Sequence, residues 1–205
     1  MKIKTLLLGN MQTNGYVVSD ENHHCLIIDP GANGKKVVHY LTENELVPEA
    51  VLLTHGHFDH IGAVDYLYEH YHCPIYLHQD DLEMLDNPQL NLSVYENPFT
   101  VKAPVQSSHD EMKFGDFDVQ WLHLPGHCPG SSMIYLKDEN IIFSGDVLFK
   151  GSIGRFDFPN SSKYETIESI NKIKEYDFDA VIYPGHGPNS TLSEERLNNP
   201  YLKKS

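Results

Sequence analysis

The sequence predicts a layered α/β or α+β domain, on three observations. Short apolar runs of strand character are interspersed with helical periodicity in both halves of the chain. Hydrophobic residues make up 40%, aromatic residues 11% and charged residues 21%, values that exclude disorder, collagen and coiled coil as the main class. A length of 205 residues suits one domain, or at most two small ones, and can enclose a sizeable core. No repeat, low-complexity tract or linker divides the chain, so residues 1–205 read as a single domain.

The elements follow in order. Ile3–Leu8, Tyr16–Ser19 and Cys25–Asp29 are apolar runs bounded by Gly, Asn or Asp, as strands usually are. The stretch from Asn33 to Leu46 predicts a helix with Val37, Val38 and Leu41 on one face. Ala50–Leu53 is a short strand that ends at Thr54, before a polar loop. From Ile61 to Tyr71 the helical period returns, with Ile61, Val64, Leu67 and Tyr68 in one stripe, and Pro74–Leu77 reads as another strand. Residues 85–108 carry Pro88, Pro98 and Pro104 with little regular pattern, which predicts a long loop or a lid. Four strand-like runs come next, at Glu111–Phe114, Phe117–Leu124, Ser132–Leu136 and Ile141–Ser144. The span 161–176 predicts a helix on its Ile167, Ile170 and Ile173 spacing, capped by Ser161 or Ser162 with Glu165 nearby. A last strand, Ala180–Tyr183, and a short helix over 190–197 complete the reading.

Charge and cysteine usage bound the function. Fifteen basic against 29 acidic side chains leave a net charge of −14, which argues against nucleic acid or an anionic membrane as partner. Only Arg155 and Arg196 are arginines, which weakens a phosphate-binding reading further. Cys25, Cys73 and Cys128 contain no CxxC pair, so the chain reads as a cytoplasmic protein of a reducing compartment. The N-terminus lacks the pattern of a signal peptide, and no run approaches a membrane span.

The unusual count is 13 histidines, and their placement carries the chemistry. His55-Gly56-His57-Phe58-Asp59-His60 lies where a strand ends and a helix begins. In extended chain, residues i and i+2 share a side, so His55 and His57 can grip one metal ion together. Asp59 and His60 follow where the chain turns, placed for a second ion. Further candidates sit in glycine-rich turns after strand-like runs: His127 in Pro125-Gly126-His127-Cys128-Pro129-Gly130, Asp146 in Ser144-Gly145-Asp146, and His186 in Pro184-Gly185-His186-Gly187. Cys128, flanked by Pro129, reads as a packing residue. Asp29 reads equally as a partner of a ligand histidine or as a turn residue before Pro30-Gly31. The histidines at 23, 24, 39, 70, 72, 78, 109 and 123 lack partners at ligand spacing and read as surface or satisfied core residues.

These residues resemble the metallo-β-lactamase fold superfamily, whose pattern is HxHxDH, then a distant His, an Asp and a His. Here the intervals are 67 positions from His60 to His127, 19 from His127 to Asp146 and 40 from Asp146 to His186. Thr13-Asn14-Gly15-Tyr16 and Ile28-Asp29-Pro30-Gly31 also look like that family. The resemblance implies a four-layer αββα sandwich with two divalent metal ions, zinc first and iron or manganese as alternatives. It implies that His55, His57 and His127 bind one ion, that Asp59, His60 and His186 bind the other, and that Asp146 bridges them. Two carboxylates and a hydroxide would then set −3 against +4, lowering the pKa of a bridging water. Asp59 would orient the hydroxide and take its proton, as the catalytic residue. Asp146 stands where the zinc β-lactamases of one subclass use a cysteine, which counts against antibiotic hydrolysis of that type.

Within the superfamily the chain resembles the short relatives of glyoxalase II, the hydroxyacylglutathione hydrolases. The resemblance rests on Pro125–Ser131, on Ser144-Gly145-Asp146-Val147-Leu148-Phe149, and on Gly151-Ser152-Ile153-Gly154-Arg155-Phe156-Asp157-Phe158-Pro159. It implies hydrolysis of a thioester such as S-lactoylglutathione, with Arg155 at the place of a basic residue that holds the glutathione carboxylate. Asp157 stands where the family has a tyrosine, and the 205 residues are expected to form the metallo-β-lactamase-like domain alone, without the C-terminal helical domain of the longer enzymes. Three readings stay open beside it: a persulfide dioxygenase with one iron, a lactonase with the same ligands, and a non-catalytic metal-binding module. Ribonuclease members are disfavoured by the charge, and flavo-diiron proteins by the histidine at 57.

Overall fold

Successive residues of a strand face opposite ways, and here both ways lead into hydrophobic cores. In Cys25-Leu26-Ile27-Ile28, Cys25 and Ile27 join one buried cluster while Leu26 and Ile28 join another. Ala50, Val51, Leu52 and Leu53 divide in the same manner. A strand buried on both faces requires a layer on each side, and this sets the four-layer order helix, sheet, sheet, helix. A computed structural model describes residues 1–203.

The first half of the chain builds β1 (Lys2–Leu8), β2 (Thr13–Ser19), β3 (His24–Ile28), α1 (Gly34–Glu43), β4 (Val47–Leu52), α2 (Phe58–Ile61), α3 (Val64–Tyr71), β5 (Ile75–Leu77), α4 (Leu82–Leu85) and β6 (Val105–Ser107). Its six strands form one sheet in sequence order, antiparallel from β1 to β3 and parallel from β3 to β6. The second half builds β7 (Glu111–Phe114), β8 (Phe117–His123), β9 (Ser132–Leu136), β10 (Ile141–Gly145), the small hairpin β11 (Leu148–Phe149) and β12 (Ser152–Ile153), α5 (Lys163–Lys174), β13 (Val181–Pro184), β14 (Ser190–Thr191) and α6 (Leu192–Asn198). The second sheet runs β14-β13-β10-β9-β8-β7.

Three clusters fill the spaces between layers. Val37, Leu41, Val64 and Leu67 of α1 and α3 pack on the outer face of the first sheet. Tyr16, Leu26, Ile28 and Leu52 meet Trp121, Ile134, Leu136 and Phe143 between the sheets. Ile170 and Ile173 of α5 and Leu192 of α6 cover the outer face of the second sheet.

The structure corrects several sequence expectations. β2 begins at Thr13 because Thr13, Asn14 and Gly15 pair with Leu8, Leu7 and Leu6 of β1. β4 begins at Val47 and tolerates Pro48 because its pairing with β3 shifts register between Cys25 and Leu26. The helix expected from Ile61 breaks at Gly62-Ala63, where a Cβ on Gly62 would strike the Gly31 carbonyl and the Ala63 N–H bonds Pro30 O at 2.9 Å. Ile167 is exposed, so α5 buries Ile170 and Ile173 without it. Ser162 is the cap of α5, accepting from Glu165 N at 3.2 Å, whereas Ser161 donates to His127 O at 2.7 Å. Segment 85–108 is a packed part of the first half. Asn91 is fully buried, donates to Met84 O and Phe99 O, and through its own carbonyl accepts Phe58 N at 2.8 Å.

Phe143 lies between the sheets at 0% exposure, with the rings of Tyr16 and Tyr183 at 5.0 and 5.5 Å. Phe143→Ala is expected to cost about 3–5 kcal/mol of stability, read as a shift in the urea midpoint.

Candidate metal centre

Strand direction brings the candidate residues to one edge. β8, β10 and β13 run the same way in the second sheet, since β9 is antiparallel to both β8 and β10 and β13 is parallel to β10. Their carboxyl ends lead to His127, Asp146 and His186, while β4 leads to His55. Asp59 and His60 lie in the first turn of α2. Gly145 adopts φ +48°, and a Cβ there would collide with the Thr54 side chain, so glycine lets the two sheet edges meet.

All seven predicted residues converge in two adjoining clusters. His55, His57 and His127 form the first, their rings 4.7–4.9 Å apart and steeply inclined to one another. His57 Nδ1 and His127 Nε2 face each other at 3.0 Å. In the second, Asp59 Oδ2 lies 3.6 Å from His60 Nε2 and 3.2 Å from His186 Nε2. Asp146 spans both: Oδ1 is 3.4 Å from His60 Nε2 and 3.6 Å from His186 Nε2, and Oδ2 is 3.6 Å from His127 Nε2.

Electrostatics separate the two clusters. Burial, with the neighbouring rings, pushes His55 well below the usual imidazole range and His57 down to about 3, and burial lowers His127 as well. These three therefore stand neutral, with lone pairs to offer. Burial opposes charge on His60, but Asp59, Asp29 and Asp146 overcome it and hold His60 well above the usual range. Burial likewise opposes charge on His186, and Asp59 and Asp146 raise it. Burial would raise Asp59 and Asp146, yet His60 and His186 keep both carboxyls below the usual range, with a Thr13 hydrogen bond adding to the effect on Asp59.

The donor set fits divalent cations. His55 Nε2, His60 Nε2 and Asp146 Oδ1 are buried with no hydrogen-bond partner, a costly arrangement unless a cation sits among them. The 3.0 Å between His57 Nδ1 and His127 Nε2 is near the roughly 3.4 Å edge of a tetrahedron with metal–nitrogen bonds of about 2.0–2.1 Å. Ligand atoms of His55, His57, His127 and Cys128, of His55, His60 and Asp146, and of Asp59, His60 and His186 lie within 4.8 Å of one another in each group.

A supporting layer surrounds the clusters. Asp29, left open between two readings by the sequence, is a partner of a ligand-type histidine: it bonds His60 Nδ1 at 3.0 Å, Thr54 N at 2.8 Å and Thr54 Oγ1 at 2.7 Å. Asn14 donates to Pro184 O and Gly187 O, and Tyr16 OH to Pro184 O, which fixes the turn bearing His186. The Thr13–Tyr16 motif was the signal for these contacts. Asp81 gave no signal, because its partners are backbone N–H groups remote in sequence: Gly56 at 3.0 Å and Gly130 at 2.6 Å. It ties the His55–His57 loop to the His127 loop. Cys128, read as packing, places Sγ 3.3 Å from His57 Nε2.

Two further expectations need adjustment. Arg155 is exposed and already paired, Nε and Nη2 bonding the Asp157 carboxylate at 2.8 and 2.9 Å, while its backbone carbonyl accepts His127 Nδ1–H at 2.7 Å. His78 and His123 do have a partner, stacking at 3.8 Å and 14° beside Asp80. Ligand-type atoms of His78, Asp80 and His123 also lie within 4.8 Å of one another, in a partly exposed position.

A family model for the metallo-beta-lactamase superfamily matches residues 8–186. The chain belongs to that superfamily. Similar relatives include the probable metallo-hydrolase YqgX of Bacillus subtilis, 38% identical over 98% of each chain. The hydroxyacylglutathione hydrolase GloC of Haemophilus influenzae is 30% identical, also over 98% of each. Among solved structures, the BLEG-1 B3 metallo-beta-lactamase has a TM-score of 0.93 and 37% identity, covering 99% of this chain and 100% of that one. TTHA1623 in a di-iron-bound form has a TM-score of 0.87 and 36% identity, covering 97% and 100%. No helix among the described residues is long and apolar enough to cross a membrane.

Burial pushes the Asp81 carboxyl up to about 6, against the pull of its two N–H donors. Between about pH 4, where an unfolded aspartate loses its proton, and about 6, the folded protein keeps the proton. The contribution of Asp81 to stability therefore falls as pH rises through that window. Asp81→Ala is expected to cost about 1–3 kcal/mol, with the gap to wild type narrowing from pH 4 to above 6 in a series of urea titrations.

Proposed function

We propose that this protein is a metal-dependent hydrolase that cleaves a small thioester, with S-lactoylglutathione as the leading candidate. The observation that carries the reading is the pair of cation-shaped clusters joined through Asp146. Similarity to a hydroxyacylglutathione hydrolase over 98% of the chain supports the thioester. In this reading His55, His57 and His127 hold one ion, Asp59, His60 and His186 hold the second, and Asp146 reaches both. Such a pair of ions, when bound, supplies Lewis acidity and a hydroxide at neutral pH. Zinc, iron or manganese suits imidazole and carboxylate donors, and the di-iron-bound relative supports iron beside zinc.

The chain's own residues supply orientation and proton handling. Asp59 Oδ2 accepts from Thr13 Oγ1 at 2.8 Å and lies against His186, which leaves Oδ1 to receive a proton from the nucleophile. The Phe158 ring stands edge-on to His57 and His127 at 5.3 and 5.7 Å and shields them from water. Arg155, stacked over Phe158 at 4.5 Å, is the candidate contact for a substrate carboxylate, in competition with Asp157.

The likeness to a B3 metallo-beta-lactamase supports a second reading, hydrolysis of a cyclic amide at the same centre. Steady-state assays of S-D-lactoylglutathione and of a chromogenic cephalosporin, with metal content measured on the same sample, decide between them. Turnover of the thioester with two ions per chain supports the first reading, and preference for the cephalosporin supports the second. One iron per chain, no hydrolysis and oxygen uptake with a persulfide would move the assignment to a dioxygenase.

Asp59→Asn is expected to lower kcat by about 10²–10⁴-fold while the far-UV circular dichroism stays native. If Asp146→Ala retained full turnover, a two-ion mechanism would be wrong. Asp157→Ala is expected to lower KM for the glutathione thioester by freeing Arg155, and Arg155→Ala to raise it, both with little change in kcat.

A further inference from the structure

The proposed function requires that each histidine of the first cluster present a lone pair to the centre, and a neutral imidazole does so from one nitrogen only. For two of them the structure shows what fixes that choice. His127 donates Nδ1–H to Arg155 O at 2.7 Å, so Nε2 carries its lone pair. His55 Nδ1 lies 3.1 Å from Thr54 Oγ1, whose own proton goes to Asp29 Oδ2 at 2.7 Å. That hydroxyl can only accept, so His55 Nδ1 is the N–H and Nε2 faces the centre.

His57 points its Nδ1 inward, 3.0 Å from His127 Nε2, so its Nε2 must carry the proton and needs an acceptor. His57 is 3% exposed, which leaves water little access. The polar atom against Nε2 is Cys128 Sγ at 3.3 Å, within the range of a hydrogen bond to sulfur. The cysteine is fully buried and its backbone is held in place, with its N–H bonding Ser131 Oγ at 2.9 Å and its carbonyl accepting Gly126 N at 3.1 Å.

We propose that Cys128 is a positioning residue for the metal centre: its sulfur accepts the His57 Nε2–H and so directs His57 Nδ1 toward the ion. This rests on the metal-centre reading above. Sγ lies nearer Nε2, at 3.3 Å, than Nδ1, at 3.7 Å. Were the sulfur itself a ligand, the buried Nε2–H would lose its acceptor. A partner to the far nitrogen of a ligating histidine typically sustains about 10–100-fold in metal affinity.

The test measures cobalt(II) affinity by chelator competition, together with the absorption spectrum of the cobalt-loaded full-length protein. Cys128→Val removes the acceptor at similar volume and is expected to weaken binding of the first ion about 10–100-fold. Cys128→Ser restores an acceptor and is expected to recover most of that affinity. Cobalt-loaded wild type should lack a sulfur-to-cobalt charge-transfer band. Thermal denaturation of the metal-free variants separates this role from a packing role: Cys128→Ala supplies the comparison if the valine variant does not fold. Equal affinity in wild type and the variant lacking an acceptor, or failure of serine to recover it, overturns the proposal. A strong charge-transfer band that vanishes in Cys128→Ser also overturns it and makes the sulfur a ligand. Failure of wild type to bind cobalt at all overturns the metal-centre reading itself.

Discussion

The Asp29 carboxylate is the contact on which the rest of the centre depends. It sits at the end of β3 in the left-handed region, at φ 47°, an uncommon conformation for a non-glycine residue and one that persists only where the surroundings over-determine it. Those surroundings are its partners. Thr54 N and Oγ1 draw it to the end of β4, and His60 Nδ1 draws it to α2. Through Thr54 the same carboxylate reaches His55 Nδ1. One buried anion thus sets the ring orientation of a histidine in each cluster, and the sidedness of two rings is decided at the strand end, away from the centre.

A similar economy holds the loops. The loops that carry ligand-type residues are tied by hydrogen bonds to their backbone: the Asp81 side chain joins the loops of His57 and His127, the Asn14 and Tyr16 side chains hold the turn of His186, and Gly185 N bonds Gly145 O at 2.8 Å. The frame therefore rests on a few buried side chains, each satisfied by backbone groups of the loops it holds. The charges are arranged in keeping with this. Neutral imidazoles gather in the first cluster, where burial outweighs the pull of Asp59 and Asp146, and the raised histidines gather beside Asp59.

Much of this was legible in the sequence, and the exceptions share a cause. HxHxDH, with the glycine-rich turns at His127, Asp146 and His186, is local in sequence, and all seven residues meet in space. The strand periods and the Ser162 cap are local too. Asp81, the His78–His123 stack and the contact of Cys128 with His57 join residues distant along the chain, and no spacing rule reports them. Segment 85–108 reads as a long loop or a lid because it lacks period and carries prolines, and most of it is irregular chain. It is held instead by Asn91, whose buried side chain replaces regular secondary structure in satisfying Met84 O and Phe99 O.

The sequence by itself determined the layered fold class and the residues that meet at the centre, because both follow from short-range patterns: short apolar runs bounded by turn residues, and ligand-type residues at fixed local spacing. Only the tertiary structure decided which nitrogen of each histidine faces inward and which buried groups hold the rings. Those outcomes depend on which strand ends become neighbours and on hydrogen bonds closed across 25 to 71 residues of chain. Distances of that kind are fixed by packing between layers, where a few tenths of an ångström separate a ligand from the group that orients it.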